Sequence, residues 1–184
     1  MKVIYTAPNR AHHYKYASSL YKANFLLAFV SGFSRFSPRA AFHEIKDKLI
    51  RADILQTLYI GSLKMGLPLK ISAKLAYWAK IEQDVACRKF IKHGDVFLFY
   101  SGSGLRTCKH AKKKGVITIV EVVNSHVEYQ EDILKEEHRQ LRLPWTPFHQ
   151  SEKRRRLKEY DEADYIRDFD AYLSLKNQLY FYQS

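Results

Sequence analysis

Short apolar runs, broken by turn residues and by amphipathic stretches, set the rhythm of this chain. Residues 2–7 alternate and carry β-branched side chains early, which predicts an opening strand ended at Ala7, Pro8, Asn9 and Arg10. Residues 12–24 place Tyr16, Ser19, Leu20 and Ala23 at helical spacing, with Asn24 as the stop. Residues 25–30 form an apolar run closed by Ser31 and Gly32, the pattern of a second, buried strand. Strand, helix and strand in about 30 residues is the size of a βαβ unit. Residues 33–92 read as mostly helical. Ile45, Leu49, Ile50, Ile54 and Leu58 predict one helix over 43–58, and a second runs over 71–91 after Gly66, Leu67 and Pro68.

Residues 95–101 are again strand-like and lead into Gly102, Ser103 and Gly104, then a basic helix over 105–114 stopped by Gly115. Residues 116–123 are the most strand-like segment present, and helices follow over 128–142 and 151–165. The last stretch, 167–184, is aromatic and polar without clean periodicity. Near-continuous apolar strands alternating with helices predict an α/β chain, a parallel sheet covered on both faces. Right-handed crossovers make it a Rossmann-like doubly wound sheet. With no internal repeat and no linker, the pattern describes one domain.

Composition narrows the function classes. The chain has 184 residues, 46% of them hydrophobic and only 7 Gly and 5 Pro, so disordered and collagen-like classes are excluded. The longest apolar run is too short to span a bilayer. The amino terminus enters strand-like sequence at once, which argues against a signal peptide. Cys87 and Cys108 cannot build a disulfide framework, so a cytoplasmic chain is expected. The net charge is +12, and residues 1–100 alone carry +10 of it. A folded face of that sign attracts polyanions: nucleic acid, anionic lipid headgroups or phosphorylated substrates.

Candidate chemistry gathers at the predicted carboxyl ends of the strands, where open α/β sheets bind ligands. Asn124, Ser125 and His126 follow the strand over 116–123, and His126 there is a general base, a hydrogen-bond donor to a substrate hydroxyl or a helix-capping residue. Pro8, Asn9, Arg10, His12 and His13, with Ser101, Gly102 and Ser103, occupy the same rim. Three polar loops on one edge are what an acceptor-binding cleft needs. Gly102, Ser103 and Gly104 lack the third glycine of a dinucleotide fingerprint, and no phosphate-binding P-loop is present. No metal cluster is expected, because His12 and His13 are adjacent and would diverge on a helix. The basic runs over 109–114 and 153–158 come without a recognition helix or zinc finger, so no specific nucleic-acid partner is expected.

Four segments carry a family resemblance: the strand and turn over 95–104, residues 111–126 ending in Asn124, Ser125 and His126, the Glu-rich helix with Glu136 and Glu137, and Glu159, Ala163, Asp164 and Ile166. Together they resemble the amino-terminal half of GT-B glycosyltransferases, the large retaining group called family 4. Residues 8–33 look like that family's first βα unit. The resemblance implies a single amino-terminal, acceptor-binding half of a GT-B architecture over residues 1–166, with His126 as the catalytic residue. Pro8, Asn9, Arg10, His12, His13, Ser101, Gly102, Ser103, Asn124 and Ser125 would bind the acceptor, a glycan or a lipid-linked molecule. Transfer would need no metal.

Residues 167–184 do not match the family's connection to a donor domain. A truncated, frameshifted or split enzyme is therefore expected, with no cofactor in this chain and the nucleotide-sugar bound by a missing carboxyl-terminal domain or a separate donor-domain chain. The basic face adds an anionic membrane surface as a partner, at the inner face of the membrane. The competing expectations are an inactive remnant and a basic polyanion-binding domain.

Overall fold

The computed structural model describes residues 1–121, 127–145, 149, 171–173 and 179–181. Its centre is a sheet in the order β3-β2-β1-β4-β5-β6-β7. The strands are β1 (Val3–Ala7), β2 (Leu26–Ser31), β3 (Leu49–Arg51), β4 (Val96–Tyr100), β5 (Ile117–Glu121), β6 (Ala171–Leu173) and β7 (Leu179–Phe181). All neighbours pair in parallel except β6 and β7, which are antiparallel. The helices are α1 (His13–Lys22), α2 (Ile54–Lys64), α3 (Leu69–Ile91), α4 (Leu105–Lys112) and α5 (Val127–Gln140). This is a Rossmann-like, doubly wound α/β fold. Its strand order reverses direction between β1 and β4, the switch point where such sheets open a crevice.

Strand alternation sorts the core into two layers. On one face Ile4, Phe97, Phe99 and Val120 pack with Cys87 and Ile91 of α3 and Cys108 and Ala111 of α4. On the other, Tyr5, Ala7 and Phe29 pack with Tyr14 and Ala17 of α1 and with Ile45. Both faces are thus covered, which is why the strands read as continuous apolar runs. Cys87 and Cys108 are free and buried, and burial pushes the Cys87 thiol up from its ordinary pKa. No helix among the described residues is long and apolar enough to cross a membrane.

The expected helix over 43–58 is corrected. Residues 49–51 form strand β3, paired with Phe29, Val30 and Ser31 of β2, and the helix begins only at Ile54. Three short elements supply the apolar spacing read as one helical face: Ile45 from a buried turn, Leu49 and Ile50 from the strand, Ile54 and Leu58 from α2. Long-range pairing outweighs the weak local preference. Arg51 anchors the strand end by donating from Nη1 to the Phe33 carbonyl at 3.2 Å and from Nη2 to the Ala40 carbonyl at 2.6 Å. Buried Asp53 then accepts from the Arg35 backbone amide at 2.5 Å and from its Nη2 at 2.6 Å.

The remaining described elements up to α5 fall within a few residues of expectation, whereas β6 and β7 lie in the stretch over 167–184, where no element was expected. Asn24 stops α1 as read. At φ +58° it makes a left-handed cap in which Asn24 N–H donates to Tyr21 and Phe25 N–H to Leu20. The expected helix over 151–165 lies outside the described residues. The first turn of α4 has no capping side chain of its own. Asp84 of α3 supplies it, accepting from Arg106 N–H at 2.8 Å and Thr107 N–H at 2.9 Å.

Gly104, which precedes α4, lies against the ring of Phe99: a Cβ there would come within 2.3 Å of it. Gly104→Ala should therefore destabilise the protein by about 2 kcal/mol, as overpacking does in dense cores. A thermal melt checks this, with the ring of Phe99 as the atom group that must move.

Candidate functional site

The carboxyl ends of β1, β4 and β5 and the first turn of α1 meet at the switch point. Glu121, the last residue of β5, is 3% exposed. An unpaired carboxylate there would cost several kcal/mol. Three side chains compensate it. His12, the residue before α1, bonds through Nε2 to Glu121 Oε1. Tyr5, in the middle of β1, donates its hydroxyl to Glu121 Oε2 at 2.9 Å. His13 brings Nδ1 to 3.2 Å from the same oxygen and to 2.6 Å from the Tyr5 hydroxyl.

Proton accounting fixes the ring orientations. The single proton of Tyr5 is committed to Glu121, so the 2.6 Å contact requires the His13 Nδ1–H to donate to the tyrosine oxygen. In the neutral ring the lone pair of His13 then sits on Nε2, which is buried and has no hydrogen-bond partner among the described residues. Likewise, His12 Nε2 carries the proton shared with Glu121, which leaves Nδ1 as its acceptor atom. His13 is fully buried, whereas the His12 side chain is 39% exposed, so His12 is the member that meets solvent.

Aromatic edges hold both rings. His12 lies 5.1 Å from Tyr16, His13 lies 5.3 Å from Tyr100, and the two imidazole centroids are 4.1 Å apart. Burial drives the Glu121 pKa up, but hydrogen bonds from His13, His12 and Tyr5 outweigh it, leaving the carboxyl below its ordinary value. Tyr5 shifts the other way: burial, then the charge of Glu121 and its hydrogen bond to it, hold the phenol protonated far above its ordinary range.

The expectation that His12 and His13 diverge is corrected. His12, at the helix N-cap, and His13, the first residue of α1, both turn their rings onto one carboxylate. Their ligand atoms and those of Glu121 lie within 4.8 Å of one another. Two imidazoles and a carboxylate are a donor set that suits a zinc-like cation. In the present arrangement those atoms bond one another.

Of the other rim residues, Asn9 is exposed and Pro8 half-buried. Arg10 donates to the Arg39 carbonyl and stacks beside Tyr14 and Phe42, so it ties the β1–α1 loop to the segment after β2. Ser103 is buried, with its hydroxyl donating to the Tyr100 carbonyl at 2.8 Å, which makes it a turn-forming residue. Ser101 and Gly102 are half-buried at the end of β4, and the Ser101 amide donates to the Glu121 carbonyl at 3.0 Å. Asn124, Ser125 and His126 lie outside the described residues.

Sequence reasoning missed Tyr5 and Glu121. Glu121 left a signal, a lone carboxylate inside the most apolar strand of the chain, where a charge needs a partner. Tyr5 left none that distinguishes it from a core aromatic.

No family model matches the chain, and no curated protein or solved structure matches it either.

Because Glu121 titrates below its ordinary value of 4.5, the unfolded state binds more protons through that range. Its contribution is complete above about pH 4.5 and is lost as the pH falls through the lowered value. Glu121→Gln should cost about 3 kcal/mol near neutrality. Urea unfolding as a function of pH should show the gap between the two proteins closing under acid conditions.

Proposed function

We propose that this chain is the acceptor-binding half of a glycosyltransferase, taking a hydroxyl-bearing glycan or lipid-linked acceptor in the crevice between β1 and β4. The observation that carries this reading is the His12–Glu121 pair. A buried carboxylate holds one half-exposed imidazole at the carboxyl edge of the sheet, with an acceptor nitrogen left for a ligand. Sugar transfer requires that chemistry. The acceptor hydroxyl oxygen bonds to the anomeric carbon, the diphosphate leaves with the electron pair of the broken bond, and the hydroxyl proton must be taken up. His12 accepts that hydroxyl, and Glu121 stabilises the imidazolium that forms. The nucleotide-sugar belongs to the donor half of such an enzyme.

The resemblance of residues 95–164 to the family-4 acceptor half supports the same reading, and so does the Rossmann-like strand order. His126 enters on its sequence position alone, five residues beyond Glu121.

Titration of the full chain with methyl hexosides and with a short-chain prenyl-diphosphate sugar tests the proposal by NMR chemical-shift change. At least one of these ligands should bind, and His12→Ala should weaken it about tenfold, the worth of one hydrogen bond to a charged group. Absence of binding to every ligand, or binding indifferent to His12→Ala, would overturn the assignment.

A further inference from the structure

The α2–α3 hairpin stands out from the sheet on the same edge as the crevice. Gln83 of α3 donates to Thr6 Oγ1 of β1 at 2.7 Å, so α3 reaches the carboxyl half of the sheet by residue 83. The fourteen residues of α3 before that point, 69–82, extend beyond the strands by about 20 Å at helical rise. Antiparallel to them runs α2, as two hydrogen bonds show: Leu55 N–H donates to Glu82 Oε2 at 2.9 Å, and Ser62 Oγ donates to Ser72 Oγ at 2.9 Å. Gly66 at φ +65° closes the tip.

This projection is apolar and basic together. All of residues 63–71 are exposed, with Met65 at 77%. Leu63, Met65, Leu67, Leu69, Ile71 and, further along α3, Trp78 present large apolar side chains to solvent. Lys64, Lys70 and Lys74 are exposed among them, and no acidic residue occurs between Asp53 and Glu82. An apolar surface of this kind on a chain that otherwise buries its core marks a docking element.

We propose that the hairpin tip inserts into the interface of an anionic bilayer, its leucines and Met65 among the acyl chains and its lysines on the headgroups. Charge decides for lipid over a second copy. A two-fold contact through this tip would set lysines against lysines in a desolvated interface with no acidic residue between Asp53 and Glu82 to pair them. A bilayer supplies apolar depth and negative headgroups in the order the hairpin needs, with long lysines reaching outward and Trp78 suited to headgroup level. The proposal stands apart from the transferase reading, since it rests on the hairpin and not on the crevice. If both hold, docking sets the His12 rim toward the membrane.

Flotation of the full chain with vesicles of phosphatidylcholine, alone or mixed with phosphatidylglycerol, tests this. The protein should float with the mixed vesicles, less so as salt is raised. Leu67→Glu combined with Leu69→Glu should cut recovery at least about tenfold, and Lys64→Glu with Lys70→Glu several-fold. Because these side chains are exposed, the circular dichroism melt should be unchanged, so loss of flotation reports docking and not unfolding. Equal recovery without the anionic lipid, or tip variants that float like the parent chain, would overturn the proposal. So would a vesicle-free dimer, seen by sedimentation velocity, that the leucine variants dissociate.

Discussion

A single buried carboxylate organises the functional end of this molecule. Glu121 closes β5, yet its partners come from β1 and from the residues that start α1, two strands away across β4. Satisfying that charge requires the crossover after β1 to return to one place, with Tyr5 beneath and two histidines above. The carboxylate therefore does two things at once. It pins the first βα unit to the far half of the sheet, and it orients the imidazole that faces the crevice. A glutamine could not supply both oxygens as acceptors, which is why the site and its stability are coupled.

The same edge of the sheet gathers the chain's other unusual features. The β4–α4 turn is tight enough to need a glycine against Phe99, and Asp84 reaches over from α3 to cap the helix that follows. Beyond that edge the α2–α3 hairpin carries exposed leucines and lysines away from the core. The positive charge concentrated in residues 1–100 thus includes a structured, apolar projection with no acidic residue between Asp53 and Glu82. That combination is hard to explain as a merely solvated helix face. If both proposals hold, the docking hairpin and the acceptor site share one side of the fold.

Much of the architecture was legible in the sequence, because β1, β2, β4 and β5 are short, largely apolar runs and α1 to α4 each stop within three residues of an Asn or Gly. The β1 and β2 runs, the strand before Gly102 and the stop at Gly115 all needed only local reading. Strand β3 was not legible. Its three residues become a strand only through pairing with β2, and helical spacing of apolar residues on either side masked it. The rim as a location followed from the doubly wound order, but its key groups did not. Adjacent histidines look divergent until one distant carboxylate draws both rings, and a tyrosine in a core strand looks apolar until its hydroxyl finds that carboxylate.

The imidazole tautomers offer the most direct test of this account. Long-range proton–nitrogen NMR of the ring nitrogens should find the proton of His13 on Nδ1 and that of His12 on Nε2, each in slow exchange with water. In Glu121→Gln both signatures should be lost. If His13 instead carries its proton only on Nε2, or if both rings average freely in the parent chain, the carboxylate-centred network does not exist and the crevice has no oriented acceptor.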